Sequence, residues 1–122
     1  MDVTLVVLSI MVYVCLEAAD QLAVQGIDAE VVDLRCLKPL DMTTLLDSVS
    51  RTHRAVTVEE CWLTGGWGGE IVARITEQGF DLLDAPVLRV AGEDVPMPYN
   101  RDLEKAAIPN AERVVRRVLE LF

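Results

Sequence analysis

Residues 54–71, RAVTVEECWLTGGWGGEI, constrain this chain more than any other stretch. The apolar run Ala55 to Val58 predicts a strand, Glu59 and Glu60 stand at its carboxyl end, a glycine-rich turn follows, and a helix is expected from about Gly69. Gly65, Gly66, Gly68 and Gly69 crowd together, so the backbone there can take positive φ or come close to another chain. In open α/β sheets such turns lie outside the carboxyl ends of the strands, where ligands and partner surfaces are met.

The remaining elements repeat the same alternation. Val3 to Leu8 is a continuous apolar run of strand length, as found in parallel sheets covered on both faces. Val12, Cys15, Leu16, Ala19, Leu22 and Ala23 then form a helical stripe, with Gly26 where a C-terminal cap belongs. Ala29 to Leu34 reads as a second strand. Pro39 ends any helix before it, and Asp41 is positioned to cap a helix over Met42 to Arg51 whose Leu45, Leu46 and Val49 face the sheet. After the glycine turn, Ile71, Val72 and Ile75 point inward on a helix ending at Gly79, and Val87 to Val90 is a fourth strand. From Ala91 to Pro109 no periodicity is sustained. A last helix starts near Pro109 or Asn110, with Val114, Val115, Val118, Leu119 and Phe122 on one face. Strand and helix alternate, which predicts one α/β domain with a parallel sheet, right-handed crossovers and helices on both faces.

The net charge of −9 argues against nucleic acid, which needs a basic surface, and favours a basic protein partner. Cys15, Cys36 and Cys61 form no CxxC pair and have one histidine, His53, for company, so neither a disulfide framework nor a zinc site is expected. Buried, reduced thiols are the expectation, in the cytoplasm or, in a eukaryote, the mitochondrial matrix. The run Val3 to Val14 has no basic start and is interrupted by Thr4 and Ser9, so no targeting or membrane-spanning segment is expected.

Each candidate site has a bland reading beside it. The glycine turn suggests phosphate binding at a helix N-terminus, but GGWGG matches neither nucleotide motif, no lysine follows, and Glu70 adds negative charge. Close packing against a neighbouring subunit through Trp62, Gly65, Gly66, Trp67 and Gly68 is the better reading, with local core cover by the tryptophans as the alternative. Glu59 and Glu60 point to opposite faces of their strand, so one should anchor a turn amide and the other should meet solvent. His53 reads as a surface residue at a helix C-terminus. Asp33 and Arg35 should pair with each other or with loop amides. The segment Pro96, Met97, Pro98 and Tyr99 is stiff and apolar, suited to burial under another subunit or over the domain's own edge.

Taken together, VDLR (32–35), KPLD (38–41), VTVEE (56–60), the GGWGGEI turn, LDAPVLRVAGEDVPMPY (83–99) and LEKAAIP (103–109) resemble the C-terminal domain of the β subunit of thiamine-diphosphate-dependent 2-oxo acid dehydrogenase E1 components. VPMPY followed by LEKAAIP is most similar to the pyruvate dehydrogenase members. The resemblance implies a transketolase C-terminal-like fold, a three-layer α/β/α sandwich whose mostly parallel sheet carries one antiparallel edge strand. That strand would precede Asp2 and is expected to be missing or supplied by another chain. It also implies that thiamine diphosphate and magnesium belong to the parent enzyme and are held by another domain and the E1 α subunit, with no catalytic, cofactor or metal residue here. The implied partners are the α subunit, a second β subunit and the basic subunit-binding domain of the dihydrolipoyl acyltransferase, met by Asp84 and by the carboxylate of Phe122. Cys61 and Leu63 depart from the glycine and proline that many relatives carry beside the tryptophan. Two rival readings are a transketolase or deoxyxylulose-phosphate synthase domain, and a free-standing flavodoxin-like module with a small ligand at the glycine turn.

Overall fold

A computed structural model describes residues 1–93 and 108–122. The first strand, β1 (Val3–Val7), is buried along its whole length, as its unbroken apolar sequence requires. The chain continues through α1 (Met11–Val24), β2 (Ala29–Asp33), α2 (Met42–Thr52), β3 (Ala55–Trp62), α3 (Trp67–Gly79), a 3-10 turn at Phe80–Leu82, β4 (Leu88–Gly92) and α4 (Ala111–Leu119). The four strands lie in the order β2-β1-β3-β4, and every pair is parallel. Among the described residues no strand is antiparallel.

The pleat divides the core in two. Val3, Leu5, Val7, Val56 and Val58 face one side, where α1 and α4 cover them with Cys15, Leu22, Val114 and Val118. Val6, Ala55, Leu45, Val49, Ile71 and Ile75 pack on the other, under α2 and α3. This is the three-layer arrangement expected of parallel strands joined by helical crossovers. Thr4 also faces α2, and it is satisfied there by the hydroxyls of Ser48 at 2.8 Å and Thr52 at 2.7 Å. Ser48 donates in turn to Glu30 Oε2 at 2.8 Å, so hydroxyl groups replace apolar contacts along that seam without leaving a buried polar atom unpaired.

Local signals settle where they were expected. Asp41 caps α2 by accepting from the Thr44 amide at 3.0 Å, and Asn110 caps α4 by accepting from the Arg113 amide at 2.9 Å. Gly26 follows α1 at a φ of 80°, the left-handed conformation that ends helices.

Several sequence expectations are corrected. The inward stripe of α1 is Met11, Cys15, Ala18 and Leu22, whereas Leu16 is exposed. The first half of α1 is apolar nearly all round, so several stripes share helical spacing, and the one with Ala18 is the stripe buried against the sheet. β3 continues past Val58 to Trp62 through an irregularity in its pairing with β4, and α3 begins at Trp67, ahead of Gly69. On α4, Val114, Val115 and Val118 are buried but Leu119 is exposed, and the helix ends there, leaving Phe122 beyond it and exposed. Of the three thiols only Cys15 is buried.

Candidate functional site

At the carboxyl ends of β3 and β4, a charged group is turned inward. Glu59 lies on the same face of β3 as Ala55 and Thr57, beneath the start of α3, and only 1 % of it is accessible. Its Oε1 accepts from the Gly68 amide at 3.2 Å and from Arg89 Nη2 at 2.9 Å. The same Arg89 nitrogen donates to the Leu63 carbonyl at 2.8 Å, tying the turn to β4. Glu60 is exposed, as expected of its neighbour across the pleat.

The glycines serve this arrangement. A Cβ on Gly68 would stand 2.6 Å from Glu59 Oε1 and 2.8 Å from Thr57 Oγ1, and one on Gly66 would collide first with the Trp62 carbonyl oxygen and then stand 2.6 Å from Glu59 Oε2. Gly65 has a φ of 77°, which favours glycine for backbone reasons alone. Gly69, by contrast, has room, with its nearest neighbour Arg89 Nη1 at 3.7 Å. The phosphate reading of the turn fails here, because the chain's own carboxylate already sits against the helix N-terminus. Trp62 is half exposed and Leu63 exposed, while Trp67 is partly buried against the α2–α3 core.

The amino ends of the same strands are built differently. His53 closes α2 in the left-handed conformation, and its Nδ1 donates to the Leu82 carbonyl at 2.7 Å. The Asp84 amide donates to the His53 carbonyl at 2.8 Å, leaving the Asp84 side chain exposed. The next residue, Arg54, holds its guanidinium 4.5 Å over the Phe122 ring. Asp84 and Phe122, which the resemblance implies for partner binding, therefore meet consecutive residues of one segment. Beside Asp84 runs a mostly apolar groove of about 430 Å³ between Val72 and Thr76 of α3, Phe80, and the stretch Leu83 to Val87.

Asp33 accepts from the Arg35 amide at 3.0 Å, as anticipated. Pro96, Met97, Pro98 and Tyr99 lie outside the described residues. Sequence reasoning missed Arg89 and Arg54. Both act on partners 30 and more positions away, and no local signal marks such a pair. Burial pushes the Cys15 thiol up to about 12, and burial together with the charges of Glu59 and Glu60 raises that of Cys61.

Comparison with known proteins agrees with this architecture. The family described as transketolase, C-terminal domain, matches residues 1–114. The mitochondrial pyruvate dehydrogenase E1 component subunit beta of Ascaris suum is 55% identical over 96% of this chain and 33% of its own length. The Rhizobium meliloti subunit beta is 49% identical over 96% of this chain and 25% of its own, and that of Caenorhabditis elegans 51% over 95% and 33%. The chain thus spans a third or less of the length of these curated relatives. A solved split-gene transketolase, an inactive β4 tetramer, superposes with a TM-score of 0.83 at 36% identity, over 98% of this chain and 37% of that one. With a family match across nearly the whole sequence and a parallel sheet between two helical layers, the chain belongs to the transketolase C-terminal-domain family.

Proposed function

We propose that this domain is the assembly and docking domain of a pyruvate-dehydrogenase-type E1 β subunit, inert by itself. The observation that carries the proposal is the 49–55% identity, across 96% of the chain, to pyruvate dehydrogenase E1 β subunits. The parent reaction would be oxidative decarboxylation of a 2-oxo acid with thiamine diphosphate and magnesium. The turn does not fit that cofactor: the Glu59 carboxylate occupies the α3 N-terminus and would repel a diphosphate. Among the described residues, no three His, Cys, Asp or Glu side chains converge to hold a metal. By the resemblance, cofactor and catalytic groups would lie in another part of the parent enzyme, and no chemical step is assigned to this chain.

Two surfaces would serve assembly. The glycine turn, carrying Trp62, Gly65, Gly66, Trp67 and Gly68, would pack against the α subunit or the second β subunit, together with Pro96, Met97, Pro98 and Tyr99. A half-exposed tryptophan, Trp62, on a turn fixed from beneath suits the centre of such an interface, with the partly buried Trp67 beside it. The opposite end, with Asp84 and the Phe122 carboxylate, would receive the basic subunit-binding domain of the acyltransferase. The chain's net charge of −9 would speed that encounter. Among the described residues no helix is long and apolar enough to cross a membrane. The mitochondrial relatives support a matrix location in a eukaryote, with the cytoplasm as the proposal otherwise.

A titration with the isolated subunit-binding domain tests this reading. Saturable binding that weakens steeply with salt is expected, and Asp84→Lys should abolish it, because a like charge at the contact costs several kcal/mol. Unchanged binding by the variant would remove the docking assignment.

A further inference from the structure

The helix α3 is capped from a distance. Its N-cap, Gly66, has no side chain to satisfy the first amides, yet the Gly68 amide is paired, because Glu59 reaches it from β3. Arg89 supplies the opposing charge, at 2.9 Å. The carboxylate therefore lies between a helix N-terminus and a guanidinium, which is the environment of a bound anion.

The fit is close but incomplete. Glu59 Oε2, Thr57 Oγ1 and Arg89 Nε are each buried without a hydrogen-bond partner. Held by its strand, the carboxylate uses Nη2 of the guanidinium and leaves Nε unpaired. An untethered carboxylate could turn to take Nε as well as Nη2, the bidentate pairing that arginine favours. The walls admit an anion of that size and little more, since even a methyl group on Gly66 or Gly68 would stand within 2.7 Å of the carboxylate oxygens.

We infer that Gly68, Arg89 and Thr57 form an anion site for a single small carboxylate, filled in the native chain by the Glu59 side chain as an internal ligand. The glycine turn is thereby fixed from within the domain and needs no bound anion or partner to hold its shape. Shortening the side chain should expose the site to a free carboxylate of the same chemistry.

The experiment is Glu59→Ala with added sodium formate, read by thermal midpoint and tryptophan emission. Both tryptophans of the chain, Trp62 and Trp67, lie on or beside the turn, so emission reports on it specifically. The variant should melt lower than the native chain, emit further to the red, and exchange the Gly68 amide on the order of tenfold faster, as loss of a charge-assisted hydrogen bond implies. Formate should restore midpoint and emission along a saturating curve. Sodium chloride at equal ionic strength should not, and the native chain should respond to neither. Arg89→Met added to the variant should abolish the rescue. If Glu59→Ala does not fold from dilution, refolding in formate against chloride gives the same answer, and equal yields would overturn the inference. So would a variant with native midpoint and emission, or one whose response to formate matches that of the native chain or that to chloride.

Discussion

The two ends of the sheet use charge in opposite ways. At the carboxyl ends of β3 and β4, Glu59 and Arg89 pair inside the protein, and their energy goes into fixing a turn whose outer surface is aromatic. At the amino ends, Asp84 and Arg54 sit at the surface or near it, held by a backbone hydrogen bond in one case and an aromatic ring in the other. Stability should therefore depend heavily on the first pair and little on the second, while recognition by a charged partner should show the reverse.

The sharpest way to break this contrast is Arg89→Met, which leaves a fully buried carboxylate uncompensated. A loss of about 3 kcal/mol is expected, at the low end of the range for broken buried pairs because the arginine is itself partly exposed. Urea titration measures it, and a loss below about 0.5 kcal/mol would mean that the two ends are alike. Asp84→Lys, the mirror experiment, should leave the urea midpoint within about 0.5 kcal/mol of native while removing partner binding.

Neighbouring glycines sharpen the same point. Gly68→Ala should destabilise by about 1–3 kcal/mol through overlap with Glu59 and Thr57. Gly69→Ala, whose added methyl would make only ordinary van der Waals contact with Arg89, should be neutral or stabilising by up to about 1 kcal/mol through helix propensity. Equal effects in a thermal melt would refute the assignment of Gly68 to the carboxylate.

The smallest effects concern local groups. At pH 8 a thiol reagent should find two cysteines, Cys36 and Cys61, and reach Cys15 after unfolding, since burial holds that thiol near 12. Hydrogen bonds from the Thr44 hydroxyl and amide hold the Asp41 carboxyl below its usual range. Its folded value being the lower one, the cap's contribution is present above the unfolded value and is lost as the pH falls through the folded one. A pH series of melts with Asp41→Asn should flatten that acid limb slightly.

The same contrast marks what could be read from the sequence. The Asp41 cap, the Gly26 terminus, the four strands and the opposed directions of Glu59 and Glu60 follow from neighbours in the chain, and they were legible, whereas the sequence left the start of α4 open between Pro109 and Asn110. The face of α1 was not, because an apolar helix offers several equivalent stripes until a neighbour of fixed shape selects one. Nor could the role of Gly68 be seen, since the carboxylate that excludes its side chain is turned inward and paired with an arginine 30 positions away. Asp84 and Phe122 were singled out by resemblance alone, and the fold then brought both to the segment His53–Arg54.

The most direct test is amide hydrogen exchange of the chain with and without the basic subunit-binding domain. Slower exchange confined to residues 53–54, 82–86 and 119–122, with amides 62–69 unchanged, is the predicted footprint. Protection centred on the glycine turn, with the Asp84 end unaffected, would contradict the division of labour between the two ends.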